Sequence, residues 1–161
     1  MTLSFFGKLY SELNMISIFV DADACPVKQE VIKVAERYSI KTFIVSNGGI
    51  RPSRNPLIKY VYVAHGLDEA DKWIETQCNS HSIVITDDIP LSKKCIVLDA
   101  RVVNFRGKIL DKENIGGIEA SRNLLTSLRE ANGPNSLNHG TVSRIDKGVF
   151  IQSLDHLIRK K

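Results

Sequence analysis

Short β-prone apolar runs alternate with helical segments along most of this chain, and this alternation restricts the possible folds more than any other feature. Runs at residues 17–20, 42–45, 60–64 and 83–86 predict four strands. Strands that alternate with helices form right-handed βαβ units. The sequence therefore predicts an α/β fold in which a mostly parallel central sheet carries helices on both faces.

Apolar residues recur at helical spacing between and after these strands. A first helix is predicted from Pro26, which suits the first helical position, and a second over residues 67–78. A third helix is predicted from Ile118, with Leu124, Leu125 and Leu128 on one stripe, and a fourth over residues 150–158. Residues 97–98 and 102–104 are predicted to form two further short strands.

The length of 161 residues suits one domain. We expect that domain to span residues 15–161, with residues 1–14 as an N-terminal appendage. Cys25, Cys78 and Cys95 are odd in number and widely spaced, which argues against a disulfide framework or a structural zinc site. No apolar run approaches the roughly 20 residues that span a bilayer. We therefore expect a cytoplasmic protein with reduced thiols and no membrane partner.

Aspartates follow three of the predicted strands. Asp21 and Asp23 follow the first strand, Asp68 and Asp71 the third, and Asp87 and Asp88 the fourth. In open parallel sheets, ligands bind outside the carboxyl ends of the strands. We therefore expect these six side chains to lie at one edge of the sheet.

Carboxylates gathered in this way repel one another. Two charges about 5 Å apart at an effective dielectric constant near 20 repel by roughly 3 kcal/mol. Mg²⁺ or Mn²⁺ would offset this repulsion, since both ions prefer oxygen ligands, and such an ion supports phosphodiester hydrolysis. The predicted metal ligands and catalytic residues are Asp21, Asp23, Asp71 and Asp88, with Thr86 to orient a carboxylate or a water.

Asp68 and Asp87 are weaker ligand candidates, because each has a simple structural interpretation. Asp68 fits a helix N-cap with Asp71 as the acidic third residue, and Asp87 fits a solvated turn.

Basic residues near the same edge form a second predicted group, suited to contacts with a phosphate backbone. The alternative is that they are solvated surface charges. The net charge of +4 permits a polyanionic partner without requiring one. The candidate substrate-binding residues are Arg51, Arg54, Lys93, Lys94, Arg144 and Lys147.

Four segments, FVDADACPVKQE, GLDEADKWI, VITDDIPLS and KENIG, resemble the bacterial YaiI/YqxD family from about Met15 to the C-terminus. The resemblance implies a PIN-like three-layer sandwich, grouped with metal-dependent nucleases by its acidic site, and RNA as the nucleic acid partner. The positions marked by the likeness are Asp21, Asp23, Cys25, Pro26, Asp68, Asp71, Trp73, Thr86, Asp88 and Pro90. Near the C-terminus Lys147 stands where relatives carry arginine.

Two rival functions remain open. A PIN-like protein that has lost its chemistry would bind RNA or a protein partner without cleavage. A haloacid-dehalogenase-type phosphatase would use Asp21 as nucleophile, Asp23 as acid/base, Ser46 as phosphate ligand and Asp88 as Mg²⁺ ligand. Cys25 stands where that class usually has threonine or valine.

Overall fold

A computed structural model describes residues 15–49, 51–66, 68–132 and 141–160. The predictions for residues 1–14 lie outside these ranges. The described strands are β1 (Ser17–Asp21), β2 (Lys41–Ser46), β3 (Ile58–Tyr62), β4 (Ser82–Ile85), β5 (Arg101–Val103) and β6 (Ile109–Leu110). The described helices are α1 (Lys28–Tyr38), α2 (Glu69–Gln77), α3 (Ile89–Val97), α4 (Ile115–Asn132) and α5 (Arg144–Arg159).

The strands form one sheet in the order β3-β2-β1-β4-β5-β6. All neighbouring pairs are parallel except β5 and β6, which are antiparallel. β1 lies at the centre, where Val20 is in register with Ile44 of β2 and Ile85 of β4. β-branched and aromatic residues fill β1 and β2, as expected for strands that are covered on both faces.

Alternate residues of the central strands face two separate cores. Ile18 and Val20 belong to a core built with α1 and α5. Phe19 belongs to the opposite core, built with α2, α3 and the start of α4. In that second core Trp73 packs its ring against Phe19 and Phe43, with centroid distances of 6.0 and 5.7 Å. The predicted α/β architecture, a mostly parallel sheet with helices on both faces, is confirmed.

One prediction for the segment after the fourth strand is wrong. Residues 97–98 are not a strand, since Val97 ends α3 and Leu98 is its C-cap. The helix α3 was not predicted, although Asp88 at the N-cap and Pro90 in the first turn are standard signals of a helix start. The strand β6 was also not predicted, because two residues are too few to show a periodic pattern.

α4 forms where the sequence predicts a helix, but its apolar stripe does not enter the core. Leu124, Leu125 and Leu128 are 62%, 46% and 44% exposed. Ile115, at the start of the helix, is its buried residue.

The turn between β5 and β6 is fixed against α5 by a glycine. Gly107 has φ +87°, and a Cβ atom there would lie 2.7 Å from the backbone nitrogen of Phe150. The carbonyl of Gly107 accepts a hydrogen bond from Ser153 Oγ at 2.6 Å. Only glycine permits both this conformation and this approach.

Across the helices that the structure describes, none has both the length and the apolar character needed to cross a bilayer.

Candidate active site at the carboxyl edge of the sheet

The strand order reverses between β1 and β4, because the chain continues from β1 to β2 on one side and from β4 to β5 on the other. The carboxyl ends of two such strands border a crevice that commonly binds ligands. Asp21 is the last residue of β1, and Thr86, Asp87 and Asp88 follow β4 directly. The predicted acidic residues of both strands therefore border this crevice.

Asp21 is held by a buried threonine. The hydroxyl of Thr86, which is fully buried, donates to Asp21 Oδ2 at 2.9 Å and accepts from the backbone N–H of Asp88 at 3.0 Å. The pKa of Asp21 is raised to about 6, chiefly by burial and also by the charges of Asp88, Asp23 and Asp87, while the hydrogen bond from Thr86 lowers it. Thr86 thus fixes the orientation of Asp21 and ties it to the loop after β4.

Asp71 belongs to α2, where it is the third residue of the helix. Its pKa is raised to about 7, first by burial and then by the charges of Asp88, Asp21 and Asp68. A shared electrostatic field requires proximity, since exposed charges beyond about a Debye length are largely screened. Asp71 therefore lies within electrostatic range of Asp21 and Asp88, although it is 50 residues from Asp21 in the chain and is not among the residues that line the cleft at this edge.

The remaining aspartates hold parts of the backbone in place. Asp88 Oδ1 accepts from the backbone N–H of Leu91 at 2.7 Å and so caps α3. Asp87 Oδ1 accepts from the backbone N–H of Phe105 at 2.9 Å, which joins the end of β4 to the end of β5. Asp87 is thus not the solvated turn residue of the simple interpretation.

Asp23 lines the cleft at this edge whereas Asp68 does not, and both are exposed. Asp23 Oδ1 accepts from Ser46 Oγ at 2.9 Å and from the backbone N–H of Asn47 at 3.3 Å. The next residue, Ala24, has φ 60°, a left-handed conformation that is uncommon outside glycine. Asp68 occupies the N-cap of α2 with φ 65°, but its side chain makes no capping hydrogen bond. Its predicted capping position is confirmed, and its predicted capping bond is wrong.

In four of these aspartates, one carboxylate oxygen accepts a hydrogen bond from the protein and the other does not. Asp21 uses Oδ2, whereas Asp23, Asp87 and Asp88 use Oδ1. Among the described residues, the second oxygen of each has no hydrogen-bond donor, and none of the four is buried away from solvent. No three histidine, cysteine or acidic side chains of the described residues stand in an arrangement already fit to hold a metal ion.

A cleft of about 1330 Å³ opens from this acidic edge. Its floor includes Asp21, Asp23, Asp87 and Asp88. Its basic wall comes from the β5–β6 turn, α4 and α5, and consists of Arg106, Lys108, Arg122, Arg129 and Lys147. The guanidinium of Arg122 connects wall and floor, because it donates to the backbone carbonyl of Asp87 at 2.6 Å.

The structure places most of the predicted basic residues elsewhere. Lys147 lines the cleft and pairs with Glu30 of α1 at 3.3 Å. Lys93 and Lys94 do not line it, and instead form ion pairs with Glu119 and Glu75.

Arg51, Arg54 and Arg144 are exposed and lie outside the cleft lining. The wall residues that sequence reasoning missed include Arg122 and Arg129. Their seven-residue spacing puts them on one face of the predicted helix, which was a usable signal.

Cys25 follows the acidic turn but is not a reactive thiol. Its side chain is buried, and this burial raises its pKa to about 12. It therefore stays protonated near neutral pH, and a thiolate is the form that acts as nucleophile.

The fold and the site together define a class: a three-layer α/β protein with an acidic crevice at the carboxyl edge of its sheet. The chain belongs to the uncharacterised bacterial YaiI/YqxD family, whose model matches residues 19–160. The predicted family resemblance is thus confirmed.

Among its relatives, a UPF0178 protein of Roseobacter denitrificans is 43% identical over 146 residues, covering 91% of this chain and 97% of the relative. A UPF0178 protein of Rhizobium meliloti is 43% identical over 143 residues, covering 89% and 97%. A third, of Gluconacetobacter diazotrophicus, is 45% identical over 141 residues, covering 88% and 91%. No solved structure matches the chain.

Proposed function

We propose that this protein is a metal-dependent nuclease that hydrolyses phosphodiester bonds, with RNA as its substrate. The observation that carries the proposal is the convergence of Asp21, Asp71 and Asp88 from three different segments: beside burial, the charge of Asp88 raises the pKa of both Asp21 and Asp71, and the charge of Asp21 raises that of Asp71. A rise in the pKa of Asp21 from 3.8 to about 6 corresponds to about 3 kcal/mol against the charged form. A protein that keeps this unfavourable charge cluster in an open cleft has a use for it, and binding of a divalent cation is the use we infer.

The donor set suits Mg²⁺ or Mn²⁺. Both are hard ions that take oxygen ligands, and Mg²⁺ typically keeps several waters and uses one or two carboxylates. Asp21 and Asp88 each offer one such oxygen, and Asp23 and Asp71 would contribute directly or through water. When bound, the ion supplies positive charge for the phosphate oxygens and activates water as a nucleophile. A site of this kind does not need three protein ligands already gathered in the metal-free protein.

The protein's own residues would position the reacting groups. Thr86 fixes Asp21 through its hydrogen bond to Oδ2, which would leave Oδ1 to bind the ion. The basic wall would bind the phosphates on either side of the one at the floor. RNA rather than DNA is proposed by analogy with the PIN-like proteins that the sequence resembles.

One observation favours a second function, an RNA-binding module without catalysis. The described residues show no ready-made group of three metal ligands, and several of the aspartates have backbone-holding roles that alone would explain their presence. The phosphatase alternative fits less well. Ser46, its required phosphate ligand, is 2% exposed and donates its hydroxyl to Asp23.

The test is incubation of single-stranded RNA with the purified protein and Mn²⁺ or Mg²⁺. We expect cleavage by the wild type, loss of cleavage in Asp21→Asn and in EDTA, and normal cleavage by Asp99→Asn. Asp99 is a matched control because its side chain is 72% exposed and it precedes β5, at the opposite edge of the sheet. Binding of RNA without cleavage under any metal would support the second function instead.

A further inference from the structure

The cleft has more room than a single nucleotide needs. Pockets for small ligands usually measure about 300–1000 Å³. At about 1330 Å³, and open to solvent, this cleft suits a polymer that passes through it. Its basic residues also come from three separate elements, the β5–β6 turn, α4 and α5, so that they are spread along the wall rather than gathered around one anion.

α4 supplies a regular part of that wall. Arg122 and Arg129 both line the cleft and are seven residues apart, which corresponds to about 10 Å along a helix. That distance exceeds the reach of one phosphate group and suits two phosphates of one strand. Lys108, exposed on the β5–β6 turn, faces the same cleft and has no carboxylate partner among the described residues.

Apolar side chains lie between the basic ones. Ile118 and Leu125 line the cleft on the same helix, and Leu125 is 46% exposed. An exposed leucine between phosphate-binding residues suits the face of an unstacked base. A duplex keeps its bases stacked inside, whereas a single strand presents them to the protein.

We propose that the cleft-facing side of α4, with Lys108, is a binding surface for single-stranded nucleic acid. In this arrangement Arg122, Arg129 and Lys108 bind phosphates of one strand, and Leu125 contacts a base. Because Arg122 is hydrogen-bonded to the carbonyl of Asp87, a phosphate bound by Arg122 lies next to the acidic floor. This proposal extends the proposed nuclease function, because the path of the strand toward the acidic floor assumes that the phosphodiester is cleaved there. Binding of the strand depends only on the residues of the basic wall.

Binding is therefore measured without metal. A fluorescent oligouridine of about 12 nucleotides, within the site sizes typical of single-strand binders, is titrated with the full chain in EDTA and followed by anisotropy. Each phosphate contact on a single strand contributes about −0.7 to the slope of log affinity against log salt, which is about fivefold in affinity at 0.1 M salt. We expect the Lys108→Ala, Arg122→Ala double variant to bind about 25-fold more weakly and to lose about 1.4 of that slope.

Matched controls separate this surface from general charge and general hydrophobicity. The double variant Lys33→Ala, Arg37→Ala removes the same two charge types from exposed positions on α1, outside the cleft, and should retain most of the affinity. Leu125→Ser should weaken binding severalfold, whereas Leu124→Ser should not. Leu124 is 62% exposed on the same helix but does not line the cleft.

The outcomes distinguish this proposal from the nuclease proposal. If the cleft variants bind more weakly but no metal-dependent cleavage is found, the binding surface is supported and the nuclease proposal is contradicted. If the protein cleaves RNA but its cleft variants bind as tightly as the controls, the nuclease proposal is supported and the binding surface is contradicted. Tighter binding of a duplex of equal length than of the single strand would overturn the proposed surface, as would equal losses in the α1 controls. Parallel titration with oligodeoxythymidine shows whether the surface distinguishes RNA from DNA.

Discussion

Replacement of Asp21 by asparagine should make the metal-free protein more stable while it removes the proposed function. The two side chains have nearly the same shape, and the asparagine carbonyl can still accept the hydrogen bond from Thr86. What changes is the charge. Asp21 carries a negative charge beside Asp88, Asp23 and Asp87 in a partly buried position, and asparagine carries none.

The magnitude follows from the raised pKa of Asp21. In the folded protein this pKa is about 6, against an ordinary value of 3.8 for an aspartate side chain. A carboxyl whose pKa is raised by folding imposes no penalty well below pH 3.8, where both states are protonated, and its full penalty well above pH 6, where both states are ionised. The full penalty is about 3 kcal/mol, and at pH 4.5 about 1 kcal/mol of it remains. The substitution should therefore add roughly 2–3 kcal/mol at pH 8, or roughly 4–12 °C in Tm for a domain of this size.

The assay is urea unfolding in EDTA at pH 8 and pH 4.5, for the wild type, Asp21→Asn and the exposed control Asp99→Asn. We expect the gain of Asp21→Asn to fall as the pH is lowered, and the control to show no comparable trend. The reasoning is refuted if Asp21→Asn is no more stable than the wild type at pH 8, or if its gain is the same at both pH values. Either result would mean that the carboxylates do not strain the metal-free protein.

Three further outcomes follow from the same contacts. Millimolar Mn²⁺ or Mg²⁺ should raise the Tm of the wild type, as for any ligand that binds only the folded state, and raise that of Asp21→Asn less; equal shifts in a thermal scan would contradict binding at this site. Thr86→Val removes the hydrogen bond that lowers the pKa of Asp21, so the loss of stability with rising pH should become larger and extend to higher pH, while Thr86→Ser should leave the pH profile unchanged. Gly107→Ala should destabilise by about 2 kcal/mol or more in urea unfolding, because a Cβ there meets the backbone of Phe150 at φ +87°. Gly116→Ala, in open space near the start of α4, should not destabilise the protein, and loss of stability in both glycine variants would contradict the close-approach argument.

The sequence predicted the sheet because its signals are local and strong. β1, β2 and β4 are continuous apolar runs that end in polar residues, and chain direction then follows from the alternation with helices. α3 was missed because its nine residues, IPLSKKCIV, have almost continuous apolar character at both ends and little helical period. In that segment the residues at the start of the helix, Asp88 and Pro90, indicate a helix, whereas the apolar pattern does not.

The floor of the site was predictable, whereas its wall was not. Aspartates at strand ends are placed by topology alone, since every parallel strand brings its carboxyl end to the same edge. The wall depends on where α4 and the β5–β6 turn lie relative to the sheet, and that position is set by tertiary contacts such as the approach of Gly107 to Phe150. Lys93 and Lys94 were selected for their nearness in sequence to Asp88, but α3 turns them toward Glu119 and Glu75.

For most of these aspartates, sequence reasoning set a structural role against a functional one, and the geometry shows that the two are compatible. A carboxylate has two oxygens, and in Asp21 and Asp88 one oxygen is committed to the fold while the other meets solvent at the crevice. The committed oxygen fixes the direction of the free one, so the structural hydrogen bond is what would make each aspartate a preorganised ligand. Capping of α3 by Asp88 is therefore compatible with metal binding by Asp88. Because asparagine keeps the committed oxygen and loses the charge, whereas alanine loses both, the two substitutions separate the fold role of each aspartate from its chemistry.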